Sequence, residues 1–196
     1  GVLSYEAPQS LNASISNWTD HLFPSIDFER VYVQLNHRSE EDDAVLKENP
    51  MPNMEVFGSA EENLNPGLAI SRFCRKAEER TGTADNLLMF LEKDWHINKL
   101  HTGTNKFQDA IRSSKMLLQR GVFYVRLSKP EGAHAGTSWK CHAGNFSWIC
   151  SKAVHHHYTN LPAIFHCGWY LRYMEPYALI EDPLMHGCRR DFRNRK

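Results

Sequence analysis

NLLMFLEKDW, residues Asn86–Trp95, is the stretch on which the fold turns. Five apolar residues, Leu87–Leu91, run unbroken and stop at acid–base–acid, Glu92-Lys93-Asp94. A short apolar run bounded by polar residues predicts a strand covered on both faces, as in the middle of a parallel sheet. Ligands of open α/β sheets bind outside the carboxyl ends of such strands. Two carboxylates with one residue between them are hard oxygen ligands, suited to Mg²⁺ or Mn²⁺ shared with substrate phosphates. Taken alone, the same ten residues read equally well as a buried strand ending in a solvated charged turn.

Upstream, Val2-Leu3-Ser4-Tyr5 reads as a first strand and Pro8 suits a first helical turn. Leu11, Ile15, Trp18 and Leu22 recur at helical steps, so one face of that helix is expected to be buried. Phe28–Asn36 alternates, with Val31, Val33 and Leu35 on one face, and reads as the second strand. This strand–helix–strand unit requires a right-handed crossover and a parallel sheet. His37–Pro52, with the run Glu40-Glu41-Asp42-Asp43, reads as a solvated loop, and Met54–Phe57 as a short third strand. Asn65 is an expected N-cap with Pro66 at the first helical position, ahead of a stripe of Ala69, Ile70, Phe73, Cys74 and Ala77.

Downstream, Thr104–Gln119 has helical spacing, Gly121 is a stop signal, and Val122–Leu127 is a strand of β-branched and aromatic residues. Ser128–Val154 reads as irregular, with glycines among Trp139, Phe146 and Trp148. His155-His156-His157 is poor chelating geometry on an extended strand and is expected at a surface edge. Leu179-Ile180-Glu181-Asp182 is a second apolar-to-acidic step, and the tail from Arg189 is basic.

The succession Asn65-Pro66-Gly67, apolar-striped helix, LLMFLEKD resembles the corresponding succession of nucleotide-sugar glycosyltransferases with the GT-A fold, close to family 2, with Glu92-Lys93-Asp94 in the place of their DxD motif. The resemblance spans Val2 to about Asp182. It implies a Rossmann-like, three-layer α/β/α domain with a mostly parallel central sheet, its nucleotide-sugar half at about 1–95 and its acceptor half at about 96–196. It implies sugar transfer, hexosyl or pentosyl, from a UDP- or GDP-sugar to a hydroxyl on a glycan, glycoprotein or lipid, with inversion expected. Donor contacts fall on Ser4, Tyr5, Glu6, Asn36, Asn65, Gly67, Arg72, Glu92, Lys93 and Asp94, with Arg75 as a second choice for the phosphates. Asn36 stands where the family usually has Asp. The metal, Mn²⁺ or Mg²⁺, falls to Asp94 and Glu92, with a histidine, His166 or His186, completing its coordination. Asp182, with Glu181 beside it, matches the pair that carries the general base. Two other readings stand beside this one: a non-catalytic nucleotide-sugar or carbohydrate-binding module of the same fold, and a sugar nucleotidyltransferase. The loop Ser4–Pro8, without Gly or Lys, counts against the last.

At 196 residues, 41% hydrophobic and 23% charged, the chain has the dimensions of a single globular domain. A formal net charge of zero argues against a nucleic-acid partner. No apolar run approaches the ~20 residues that span a bilayer, and no basic-then-apolar leader precedes Val2, so membrane attachment is expected only through a segment absent from this chain. The five cysteines lack zinc-site spacing, and Cys141 and Cys150 could close a short disulfide loop. Sequons at Asn12, Asn17 and Asn145 lean towards a Golgi or ER lumen, with the cytoplasm as the alternative.

Overall fold

The computed structural model describes residues 1–96, 106–127, 138–144, 146–151 and 162–178. The N-terminal half contains β1 (Val2–Tyr5), α1 (Pro8–His21), β2 (Val31–Asn36), α2 (Glu40–Glu48), β3 (Met54–Phe57), α3 (Pro66–Thr81) and β4 (Leu87–Glu92). The remainder contains α4 (Lys106–Gln119), β5 (Tyr124–Arg126), β6 (Ser138–Ala143), β7 (Phe146–Ser151), β8 (Ala163–His166), α5 (Cys167–Tyr173) and α6 (Glu175–Ala178). Six strands form one sheet in the order β3-β2-β1-β4-β8-β5, while β6 and β7 pair separately. Strands β1 to β4 are mutually parallel, and β8 runs antiparallel to both β4 and β5.

The two faces of the sheet carry different helices. Val31, Val33 and Leu35 pack with Leu11, Ile15 and Trp18 of α1, Leu46 of α2, and Ile111, Leu117 and Leu118 of α4. On the opposite face Leu3, Tyr32, Leu88 and Phe90 pack with Ile70, Phe73 and Ala77 of α3 and Tyr170 of α5. The molecule is therefore an α/β fold with a mostly parallel central sheet flanked by helices, compatible with a Rossmann-like arrangement. The apolar run Leu88–Leu91 is buried throughout because it lies mid-sheet with both faces covered. Asn65 caps α3, its Oδ1 accepting from Leu68 N at 2.8 Å, and Gly82 ends the helix in the left-handed region at φ 71°. Among the described residues no helix is long and apolar enough to cross a membrane.

Two sequence expectations are corrected. His37–Pro52 is not a loop, since α2 lies within it. Ser39 and Asp42 close a capping box: Asp42 N donates to Ser39 Oγ at 3.2 Å, and Ser39 N donates to Asp42 Oδ2 at 3.0 Å. The run Glu40–Asp43 is the first turn of that helix, where negative charge complements the dipole, and Leu46 anchors it to the core. Within Ser128–Val154, expected to be irregular, β6 and β7 form an antiparallel hairpin in register from Ser138↔Ser151 to Ala143↔Phe146. A Cys141–Cys150 disulfide braces it. A second disulfide, Cys74–Cys167, joins α3 to α5, a pairing that nothing in the local spacing announces.

Candidate functional site

The strand order reverses direction beside β1: the chain steps outward through β2 and β3, then returns to place β4 on the other side. The crevice at the carboxyl edge between β1 and β4 is the topological switch point, where open α/β sheets hold their ligands. A cavity of about 300 Å³ lies there. Leu3 and Tyr5 enter it from β1, Asn36 from β2, and Glu92, Lys93 and Asp94 from the end of β4, with Asn63–Pro66 as the facing wall.

Strand pleating determines which side chains reach the cavity. Leu3 pairs with Gln34 and Glu92, and Tyr5 pairs with Asn36, so these residues share the face covered by α3. Ser4, between them, pairs with Leu35 and belongs to the α1 face, where its hydroxyl is buried without a hydrogen-bond partner among the described residues. The turn after β4 is fixed by side chains of α1 and by the backbone of β1. Ser14 Oγ donates to Lys93 O, Trp18 Nε1 donates to Trp95 O at 2.8 Å, and Lys93 N donates to Leu3 O at 3.1 Å. This clamp presents the side chains of Glu92 and Asp94 to the cavity.

Glu92 is half-buried and Asp94 exposed, and neither carboxylate makes a hydrogen bond or ion pair among the described residues. Burial first, and then the charge of Asp94, push the Glu92 carboxyl up to about 7, against a smaller opposing pull from Lys93. Lys93 is the one cationic side chain on the described cavity wall; its Nζ donates to Tyr5 O at 2.6 Å and lies 5.7 Å from the Tyr5 ring centroid. Tyr5 remains exposed and meets His37 edge-on at 5.3 Å. Glu6 and His37, just past β1 and β2, have positive φ, 39° and 51°, in the region that non-glycine residues seldom occupy.

Several residues expected at the site do something else. Asn36 lines the cavity, but its amide is consumed by the facing wall. Its Oδ1 accepts from Leu64 N at 3.0 Å, and its Nδ2 donates to Leu64 O at 2.6 Å and to Asn63 Oδ1 at 3.2 Å. Arg72 does not reach the cavity: it donates to both Glu62 oxygens and to Gln34 Oε1 at 2.7 Å, and its hydrogen bond holds Glu62 below the usual carboxylate range. Arg75 is likewise paired with Glu175. Gly67 serves packing, because a Cβ there would sit 2.7 Å from Ala178 Cβ, and its carbonyl accepts from Tyr170 Oη.

His166 lies at the wrong edge of the sheet for a metal at Glu92. Antiparallel β8 places it opposite Leu87, five residues before Glu92 along β4, or roughly 16 Å away. There its Nδ1 accepts from Trp169 N and caps α5. Glu181, Asp182, His186 and the run His155–His157 lie outside the described residues. Gln34 and Glu62, neither of them expected at the site, hold Arg72. The available signal was Gln34 itself, a polar residue in register with Tyr32 and Asn36 on a strand face that should be apolar.

Two carboxylates fit a divalent cation that takes its remaining ligands from water and substrate phosphates, as Mg²⁺ and Mn²⁺ do. They do not make a closed protein cage: among the described residues no three His, Cys, Asp or Glu side chains converge. No protein-family model and no curated protein matches the chain.

Proposed function

We propose that this chain is a GT-A-fold glycosyltransferase that moves a sugar from a nucleotide diphosphate donor, a UDP- or GDP-sugar, to a hydroxyl of a glycan, glycoprotein or lipid. The observation that carries the reading is the meeting of Glu92, Asp94 and Tyr5 in one cavity at the switch point of the sheet, with neither acid partnered among the described residues. A diphosphate entering a wall of two carboxylates and one ammonium group would be repelled. The site therefore calls for a cation alongside its anionic ligand. Mn²⁺ or Mg²⁺ held by Asp94 and Glu92 would supply charge neutralisation of the leaving diphosphate. The exposed Tyr5 ring offers a flat apolar face to a base or ribose, and Lys93 adds a positive charge beside it. Asp182, or Glu181 beside it, is assigned the proton of the attacking hydroxyl on the order of the sequence alone. Two disulfides support placement in an oxidising lumen, ER or Golgi.

One observation favours the non-catalytic reading: Arg72 and Asn36, expected to grip the donor, are spent within the protein. Thermal unfolding with a panel of nucleotide sugars, with and without Mn²⁺, and donor hydrolysis in the same samples separate the two. Saturating ligand at 100 times its Kd adds about 2.7 kcal/mol, a readable shift. The enzyme reading expects a metal-dependent shift and turnover, both lost in Asp94→Ala, whose ligand-free stability is not lowered because Asp94 is exposed and its charge only opposes that of Glu92. A shift without turnover selects the binding module, and neither a shift nor turnover overturns both.

A further inference from the structure

The sequons on α1 and the two disulfides take no part in the proposed transfer, and together they point to a modification. We infer that Asn12 carries an N-linked glycan, added in an oxidising lumen at Asn12-Ala13-Ser14. Cys74–Cys167 and Cys141–Cys150 belong to the compartments where that modification occurs. The inference does not depend on the transfer reaction proposed above.

Helix α1 presents its two sequons differently. Asn12 and Ala13 are exposed, and Asn12 Oδ1 accepts a bond of 3.0 Å from Asn49 Nδ2 at the end of α2. The Asn12 amide is thereby oriented with its oxygen towards α2, and no hydrogen bond among the described residues uses its Nδ2. Attachment at the nitrogen leaves the oxygen's bond intact. Asn17 is half-buried and already engaged, so a glycan there would have to displace that contact when α1 packs, whereas one on Asn12 would not. The third sequon, at Asn145, lies outside the described residues.

In the reaction Asn12 Nδ2 forms a bond to the anomeric carbon of a lipid-diphosphate-linked oligosaccharide. The anomeric C–O bond breaks, the diphosphate leaves with its electron pair, and the amide gives up one proton. In the folded protein the Ser14 hydroxyl is buried against Lys93 O. The hydroxyl that completes the sequon is thus free only before α1 closes on the turn after β4, and transfer must precede that closure.

The test is intact mass of the 196-residue chain directed through the secretory lumen of a eukaryotic cell, for the parent, Asn12→Gln and Asn17→Gln, before and after enzymatic removal of N-glycans. Ser14→Ala is unsuitable because it also removes the clamp, whereas Asn12→Gln keeps an exposed amide and disturbs at most the surface hydrogen bond from Asn49. The expected result is one glycan fewer in Asn12→Gln and the parent's number in Asn17→Gln. An unglycosylated parent overturns the inference, as does a glycan number that Asn12→Gln leaves unchanged.

Discussion

Glu92 holds its proton to about 7 because its carboxyl is half withdrawn from water and faces Asp94. Its ordinary value is 4.5, so between these values the folded chain binds more protons than the unfolded chain, and stability falls as pH rises. The penalty is absent below about 4.5 and complete above about 7. Glu92→Gln should therefore be more stable than the parent at pH 8 without metal, by about 1–2 kcal/mol once solvent screening of a partly exposed group is allowed for, with the difference vanishing near pH 4. Denaturant melts at the two pH values check this; a variant equally stable to the parent at both would mean the carboxyl is already relaxed by water. Asn36 supports a second prediction. Asn36→Asp, the change towards the residue usual in the resembled family, removes the donor to Leu64 O and sets a carboxylate against that carbonyl and Asn63 Oδ1. It should cost about 1–3 kcal/mol in a urea titration. A neutral result would show that Asn36 is not what holds the cavity wall.

At the scale of elements, what could be read in advance was whatever repeats along one dimension. The stripe Leu11, Ile15, Trp18 gave α1, the cap Asn65-Pro66 gave the start of α3, and Leu87–Leu91 gave the central strand that delivers Glu92. Helix α2 was hidden because four acids outweighed its single fully buried leucine, and the sign of a helix there was the capping box rather than a stripe. Partners distant in sequence were not legible. Arg72 looks free until Glu62 and Gln34 fold against it, and His166 looks eligible until β8 proves antiparallel and carries it to the far edge. Nor does any pattern say that α1 clamps the turn holding the acids. Ser14→Ala tests that clamp, because it leaves Lys93 O without its buried donor. The expected loss is about 1–2 kcal/mol, with amide exchange rising at Lys93–Trp95 more than along β2. Uniform acceleration across the sheet would mean that the bond contributes to global stability only.

Over the whole molecule, the two disulfides act on very different lengths of chain. Cys74–Cys167 closes a separation of 93 residues and binds α3 to α5 on one face of the sheet, whereas Cys141–Cys150 closes a separation of 9 within one hairpin. Loop-closure entropy assigns the first about 4–5 kcal/mol and the second about 2–3 kcal/mol, by restricting the unfolded chain. The surroundings sharpen the contrast. Cys74 and Cys167 are both fully buried, their helices also meet through Tyr170 Oη on Gly67 O, and Arg75 on Glu175 ties α3 to the neighbouring α6. Replacing both cysteines of the long-range pair by alanine should thus lower stability more than the same replacement in the hairpin. The long-range loss should also reach the cavity, since Asn65 and Pro66 at the start of α3 form part of its wall. Denaturant titration of the two double variants, each with the other disulfide intact, reads the first effect, and amide protection at Asn63–Leu68 reads the second. A hairpin variant that lost as much stability would overturn the ordering by loop length, and full protection at Asn63–Leu68 in the long-range variant would mean that the remaining α3–α5 contacts are sufficient to hold that wall in place.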